Sequence, residues 1–269
     1  DEIFGLYSEL YEIACKEDDT RLKTFADNQF YGRFLELPAD VVGYNRYFGW
    51  YKEAGSAENF GEWLDLYHNE KEKRPVCLSE YGGGGAISQH KDNVDWESDI
   101  DPVGVRHYEN YQSQLHEILW KQFSVRKYLW AEFIWCMFDF ASYGRTEGDT
   151  KSLNDKGLCT RERIPKDVYF FYRSVWSSEK TVYITERRHE FRACDVPFVK
   201  VYSNADAVEL CINDVSHGRI SRCELPNDES TVFVWENIKI KPDTKNKICA
   251  KAYFSDGTSR TDYAFWTGK

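Results

Sequence analysis

Apolar residues recur at Ile3, Leu6, Tyr7, Leu10, Ile13 and Ala14, the spacing of one helix face, so a helix is expected over about residues 2–17. The polar run Asp18-Asp19-Thr20-Arg21 breaks it, and Leu22–Asp27 reads as a short strand. A second strand is expected at Val41–Tyr47, followed by a helix carrying Phe60, Trp63, Leu64 and Tyr67. The third strand is the apolar run Pro75-Val76-Cys77-Leu78 leading through Ser79 into Glu80, closed by the glycines Gly82–Gly85. A long helix is predicted over about 101–123, with Val105, Tyr108, Tyr111, Leu115, Ile118 and Leu119 on its buried side. A fourth strand follows at Leu129–Phe138, and a last helix at about 165–176, opened by Pro165 near its first turn.

Strands alternating with helices predict a parallel sheet, and four such repeats make half of an eight-fold α/β barrel. The pattern changes at Trp176-Ser177-Ser178. Beyond it come short alternating segments at Thr181–Ile184, Val199–Ser203, Ala207–Asn213, Thr231–Ile238 and Lys247–Phe254, with turns at Asn213-Asp214 and Asp256-Gly257. The expected organisation is a half barrel over residues 1–177 and an immunoglobulin-like β-sandwich over 178–269.

Composition narrows the partners. The net charge of −10 argues against nucleic acid and anionic membranes, which call for basic patches, and no apolar run reaches the length of a membrane span. An aromatic fraction of 16% suits a protein that stacks flat apolar faces such as sugar rings, although aromatics also fill cores. The eight cysteines form no CxxC or Cys/His cluster, so no metal is expected. Cys211 and Cys249 fall on strands that could face each other, and free thiols are expected. No signal peptide is visible, because Asp1 leads directly into the first helix; the chain is read as an excised fragment.

The chemistry concentrates at strand ends. Glu80 falls at the carboxyl end of a core strand, where α/β barrels place their reacting groups, and a carboxylate there is costly unless paired or working. Alone it would read as a salt-bridged or solvated rim carboxylate. The second strand runs into Gly43-Tyr44-Asn45-Arg46-Tyr47-Phe48-Gly49-Trp50-Tyr51, which is either an aromatic core cluster or a ligand site. Trp135, in the fourth strand, fits core packing or the floor of a sugar pocket. The charged stretch Asn154–Lys166 fits a solvated loop or a substrate loop.

Taken in order, GYNRYFGWY, PVCLSEYGGG, FIWCMFDFASYGRTEGD and NDKGLCTRERIPKD resemble the C-terminal half of the catalytic barrel of glycoside hydrolase family 2, from about residue 5 to residue 176. The tail, with VKVYSNADAVELCIND, is similar to the immunoglobulin-like domain that follows the barrel in many bacterial members. The resemblance implies Glu80 as catalytic nucleophile, with Tyr47 bonded to it. It implies Asn45, Trp50 and Tyr51 as pocket lining, Trp135 as a wall under the sugar, and Asn154 and Lys156 on the substrate's far side. It implies no cofactor. A retaining enzyme of this kind needs two carboxyl groups roughly 5 Å apart, one to attack the anomeric carbon and one to protonate the leaving group.

One part of the family pattern is not met. The acid/base Glu of the family follows an Asn at the end of a barrel strand just ahead of the first helix here, and Glu2 has no such Asn before it. The parent is therefore read as a retaining exo-β-glycosidase working through a covalent glycosyl-enzyme, and this chain as inactive by itself. Gly82–Gly85 and SYGRTEGD favour a β-galactosidase; the Asn154-x-Lys156 spacing keeps a β-glucuronidase open, since Lys would pair with a uronate carboxylate. A non-catalytic carbohydrate-binding role, with Trp235 and Trp266 as platforms, is the alternative of another class. The partner expected is a carbohydrate, the unpaired edges of half a barrel suggest a homodimer of the fragment, and the resemblance points to a periplasmic or secreted parent.

Overall fold

A computed structural model describes residues 2–28, 33–226 and 231–269. The chain divides into two compact units, Asp1–Gly83 with Ile118–Cys136, and Gly84–Glu117 with Met137–Lys269. No described helix is long and apolar enough to cross a membrane.

The first unit is built on four parallel strands in the order β1 (Ala26–Asp27), β2 (Val42–Asn45), β3 (Val76–Tyr81) and β4 (Leu129–Ile134). The central strands β2 and β3 read as nearly unbroken apolar runs because both of their faces are buried; Val42, Tyr44, Val76, Cys77, Leu78 and Tyr81 are all core residues. The expected strand at Leu22–Asp27 is ladder-bonded only over its last two residues. Leu22 is exposed, and Lys23 instead bonds the loop through its N–H to Asp40 Oδ2 and its carbonyl to the Asp40 and Val41 N–H groups. The fourth strand likewise ends at Ile134, short of the expected Phe138.

Helix α1 (Glu2–Glu17) forms over the predicted span, yet none of its residues is buried and Ile3, Leu6, Leu10 and Ile13 are each half exposed or more. Helical spacing specifies which residues share a face; what covers that face is a separate matter. Helix α2 (Phe60–Leu66), extended by a π-turn at Tyr67–Lys71, packs Phe60 against Phe48 (4.3 Å between ring centroids) and Trp63 against Tyr67 (4.8 Å).

In the second unit a short helix α3 (Trp96–Asp99) precedes α4 (Glu109–Phe123), whose residues from Ile118 onward belong to the first unit. The helix starts later than the pattern predicts. Val105 is exposed, and the Gln89 side chain accepts the His107 N–H and holds this stretch as a turn. A two-strand ladder joins β5 (Phe140–Ala141) to β6 (Leu153–Asn154). Helix α5 (Asp167–Trp176) begins after Pro165, with Lys166 as its N-cap, so the proline lies just outside the helix.

The remaining strands are β7 (Val182–Ile184), β8 (Phe191–Arg192), β9 (Asp195–Ser203), β10 (Ala207–Ile212), β11 (Val215–Ser221), β12 (Val232–Lys239), β13 (Lys245–Tyr253) and β14 (Ser259–Gly268). They form a five-stranded sheet, β11-β10-β13-β14-β8, and a three-stranded sheet, β12-β9-β7. Inward residues of both, among them Val199, Val201, Leu210, Phe233, Ile248 and Trp266, share one apolar core, so the sheets face each other as a sandwich. Trp235 and Trp266 are 6% and 1% exposed, with their indole N–H groups bonded to the carbonyls of Gly218 and Glu186. Neither can serve as a surface platform. Asn213 and Asp214 both have positive φ (51° and 67°), the requirement of the tight turn joining β10 to β11. Cys211 and Cys249 are direct cross-strand partners, and both thiols are free.

His116, on α4, is completely buried, with its Nδ1 2.9 Å from the Tyr172 hydroxyl. Burial pushes the imidazole down to about 3, with the Lys166 charge adding to the effect. The unfolded chain takes up this proton near pH 6.5 and the folded chain does not, so the contribution is complete above pH 6.5 and is lost as pH falls toward 3. Denaturant titrations should show stability declining by on the order of 4–5 kcal/mol from this group over that window, and His116→Gln should flatten the slope; an unchanged slope would contradict the assignment.

Candidate active site

Glu80 is the penultimate residue of β3, half-buried, and the chain turns away two residues later at Gly82, whose φ of 125° is open to glycine but strained for other residues. Tyr47, just beyond β2, donates its hydroxyl to Glu80 Oε2 at 2.5 Å. Burial first, and then this bond to the carboxylate, pushes the phenol far above its ordinary range. Tyr47 therefore stays protonated and keeps donating to the Glu80 carboxyl group. The neighbouring strand is tied in alongside: Arg46 N–H donates to the Glu80 carbonyl at 2.9 Å, and Ser79 Oγ donates to Asn45 Oδ1 at 2.7 Å.

These groups open on a cavity of about 280 Å³ lined by Asn28, Asn45, Tyr47, Tyr51, Glu53, Ala54 and Glu80. Tyr51 meets the Tyr47 ring edge-on at 5.5 Å. The structure thus gathers Asn45, Tyr47, Tyr51 and Glu80 around one cavity. Trp50 does not line it: the residue is fully buried, with its backbone N–H bonded to the Tyr47 carbonyl. Trp135 is half-buried, with its N–H on the Tyr81 carbonyl and a cis peptide to Cys136, and it too is outside the cavity lining. Asn28 and Glu53 are additions that sequence reading missed. Asn28 directly follows β1, and a strand-end position was a usable signal; Glu53 sits on a short 3-10 turn with no such signal.

Asn154 and Lys156 belong to the second unit and are both buried. Asn154 Oδ1 accepts the Lys156 N–H at 3.1 Å, closing a turn by its own side chain. The turn is anchored on all sides. His107 Nδ1 lies 2.7 Å from Asp155 Oδ2, and Gln112 donates to the Gly157 carbonyl. Lys166 Nζ donates both to the Asp155 carbonyl and to Asp139 Oδ1, each at 2.8 Å, while Asp139 Oδ1 also accepts the Gly157 N–H. A Cβ at Gly157 would come within 2.2 Å of the Asp139 backbone nitrogen, so no larger residue fits. Burial raises Asp139 to about 6 against the pull of Lys166. Burial would raise Asp155 too, but its bond to His107 and the charges of His107, Lys166 and Lys156 outweigh it and hold the group low.

Asp92, Glu186 and His189 bring ligand atoms within 4.8 Å of one another. The Arg192 guanidinium pairs with both carboxylates, 3.0 Å from Glu186 Oε2, and so already supplies the cation this cluster needs. A metal ion would have to displace it.

A carboxylate held by a phenol at the carboxyl end of a parallel strand, beside a cavity, is an arrangement suited to nucleophilic hydrolysis. Residues 5–181 match the family model described as glycosyl hydrolases family 2, TIM barrel domain, and residues 196–260 match a domain of unknown function (DUF4982). The chain belongs to glycoside hydrolase family 2 and comprises a TIM-barrel portion and a β domain. It is 35% identical over 234 residues to a β-glucuronidase of Bacteroides fragilis, covering 86% of this chain and 32% of that protein. Among solved structures, an FMN-binding β-glucuronidase from Facaelibacterium prausnitzii L2-6 aligns with TM-score 0.86 and 32% identity, over 100% of this chain and 39% of that one. A putative β-galactosidase from Bacteroides fragilis aligns with TM-score 0.87 and 27% identity, over 99% and 38% respectively. The chain thus spans about a third of the length of the relatives it matches.

The Lys166–Asp139 pair makes a direct prediction. Lys166→Met leaves a buried carboxylate without its cation and should cost about 3–5 kcal/mol in denaturant unfolding. Adding Asp139→Asn should recover part of that loss; strict additivity of the two changes would show that the residues do not act as a pair.

Proposed function

We propose that this chain carries the last four βα units of the catalytic barrel (residues 1–177) and the following immunoglobulin-like domain (178–269) of a retaining exo-β-glycosidase that removes terminal β-glucuronic acid. The observation that carries the reading is the 2.5 Å bond from Tyr47 to Glu80, two residues that line one cavity. In the proposed reaction the Glu80 carboxylate attacks the anomeric carbon as the bond to the aglycone oxygen breaks. That oxygen takes a proton from a second carboxylic acid, and water then hydrolyses the glycosyl ester. Asn45 and Tyr51 bind sugar hydroxyls, and Asn154 and Lys156 receive the uronate carboxylate. The glucuronide reading is supported by the named β-glucuronidases among the relatives and by the ammonium of Lys156 on a tightly anchored turn. A β-galactoside is the second reading, favoured by the aligned putative β-galactosidase and by Gly82–Gly85.

A 2-fluoro-β-glucuronyl fluoride, incubated with the intact protein that contains this chain, should label the peptide bearing Glu80, and Glu80→Gln should lower turnover by several orders of magnitude. Labelling by the galacto-configured reagent instead would move the assignment to the second reading. Lys156→Met should reduce kcat/KM for an aryl glucuronide at least a hundredfold and leave an aryl galactoside little changed.

The proton donor is placed ahead of α1, as the family resemblance implies, so the 269 residues alone are expected not to hydrolyse an unactivated glucuronide disaccharide. Turnover of such a disaccharide by the isolated chain, abolished by Glu80→Gln, would show that the acid lies within it.

A further inference from the structure

The outward face of the five-stranded sheet carries a feature that hydrolysis does not use. On β14, Tyr263 and Phe265 point away from the core while Ala264 and Trp266 point into it, and Phe191 lies alongside on β8, opposite Thr267. These three rings are 48%, 45% and 54% exposed. Single exposed aromatics need no explanation, but neighbouring ones on one sheet face form a patch. Residues two apart on a strand stand about 7 Å from each other on the same side, so Tyr263 and Phe265 form a row.

Cations frame the row. Lys245 sits 4.6 Å from the Phe265 ring centroid, Lys247 5.3 Å from Tyr263, and Lys269 4.2 Å from Phe191. One strand over, Lys251 and Arg219 flank Tyr253. Glu209 is the acid at the paired outward positions, and its oxygens already accept from Ser216 and Tyr253. Asp214, at the hairpin turn, pairs with Lys247. A chain of net charge −10 therefore holds a locally cationic, aromatic face.

We infer that this face binds an acidic glycan, a polymer of sugar rings bearing carboxylates. Apolar faces of the sugar rings would lie on Tyr263, Phe265 and Phe191, and the carboxylates would draw the lysine ammonium groups off the aromatic rings into charge-assisted hydrogen bonds. The choice of a sugar polymer over other polyanions rests on membership of a glycoside hydrolase family. It is independent of which sugar the Glu80 site cleaves.

Affinity electrophoresis of the whole chain through gels containing polygalacturonate tests the inference. Retardation is expected, weakening with added salt, and is expected to be absent with dextran. Tyr263→Ala with Phe265→Ala, and separately Lys245→Ser with Lys247→Ser, should each weaken binding at least tenfold. Lys239→Ser, on the other sheet, should leave it unchanged. Circular dichroism melting of every variant identifies any that has lost its fold, and the lysine pair, lying on exposed side chains, provides the test if the aromatic pair has. Equal retardation of folded variants and parent, retardation by dextran, stronger binding of single-stranded DNA than of polygalacturonate, or self-association through this face without glycan binding would each overturn it.

Discussion

A buried carboxylate without a donor costs several kcal/mol, and this chain buries many of them. Asp139 is held by Lys166, Asp155 by His107, and Glu109 by His90 and Arg188, while Asp167 accepts from Tyr183 and the Glu186 N–H. Local geometry follows from these obligations. The Asn154–Gly157 turn takes its shape because Asp139, Lys166 and His107 must all be satisfied at once. Glu80, half-buried near the end of β3, is oriented by the Tyr47 phenol as Asp167 is by that of Tyr183.

The two sheets of the sandwich divide the labour of aromatic residues by strand parity. Inward positions put Trp266, Trp235 and Phe233 into the core, with each indole N–H bonded to a backbone carbonyl. Outward positions put Phe265 and Tyr263 in solvent beside lysines. A one-residue register slip would exchange the two sets, and the core requirement of Trp266 opposes it.

Much of this was legible along the chain. Apolar runs ending in Asn45 and Glu80 located the central strands because strands buried on both faces must be apolar throughout, and the motif order pointed to glycoside hydrolase family 2 before any coordinates. Strand β14 escaped because its aromatics occupy both faces and erase the alternation that marks a strand. Strand β11 escaped because nearly all of it is exposed and polar. The start of α4 was placed too early because Val105 and Tyr108 continue a helical period that the His107–Gln89 bond overrides.

The residue order by itself determined the element types of the parallel sheet and put Glu80 at a strand end, since these depend on local spacing, and the order of its motifs carried the family resemblance that implied Asn45, Tyr47 and Tyr51 as its companions. Only the tertiary structure decided that Trp50 is buried outside the cavity lining while Asn28 and Glu53 line it, that α1 leaves Ile3, Leu6, Leu10 and Ile13 exposed, and that Trp235 and Trp266 are core. Burial is a property of what packs on a residue from elsewhere in the chain, and periodicity records only which residues face the same way.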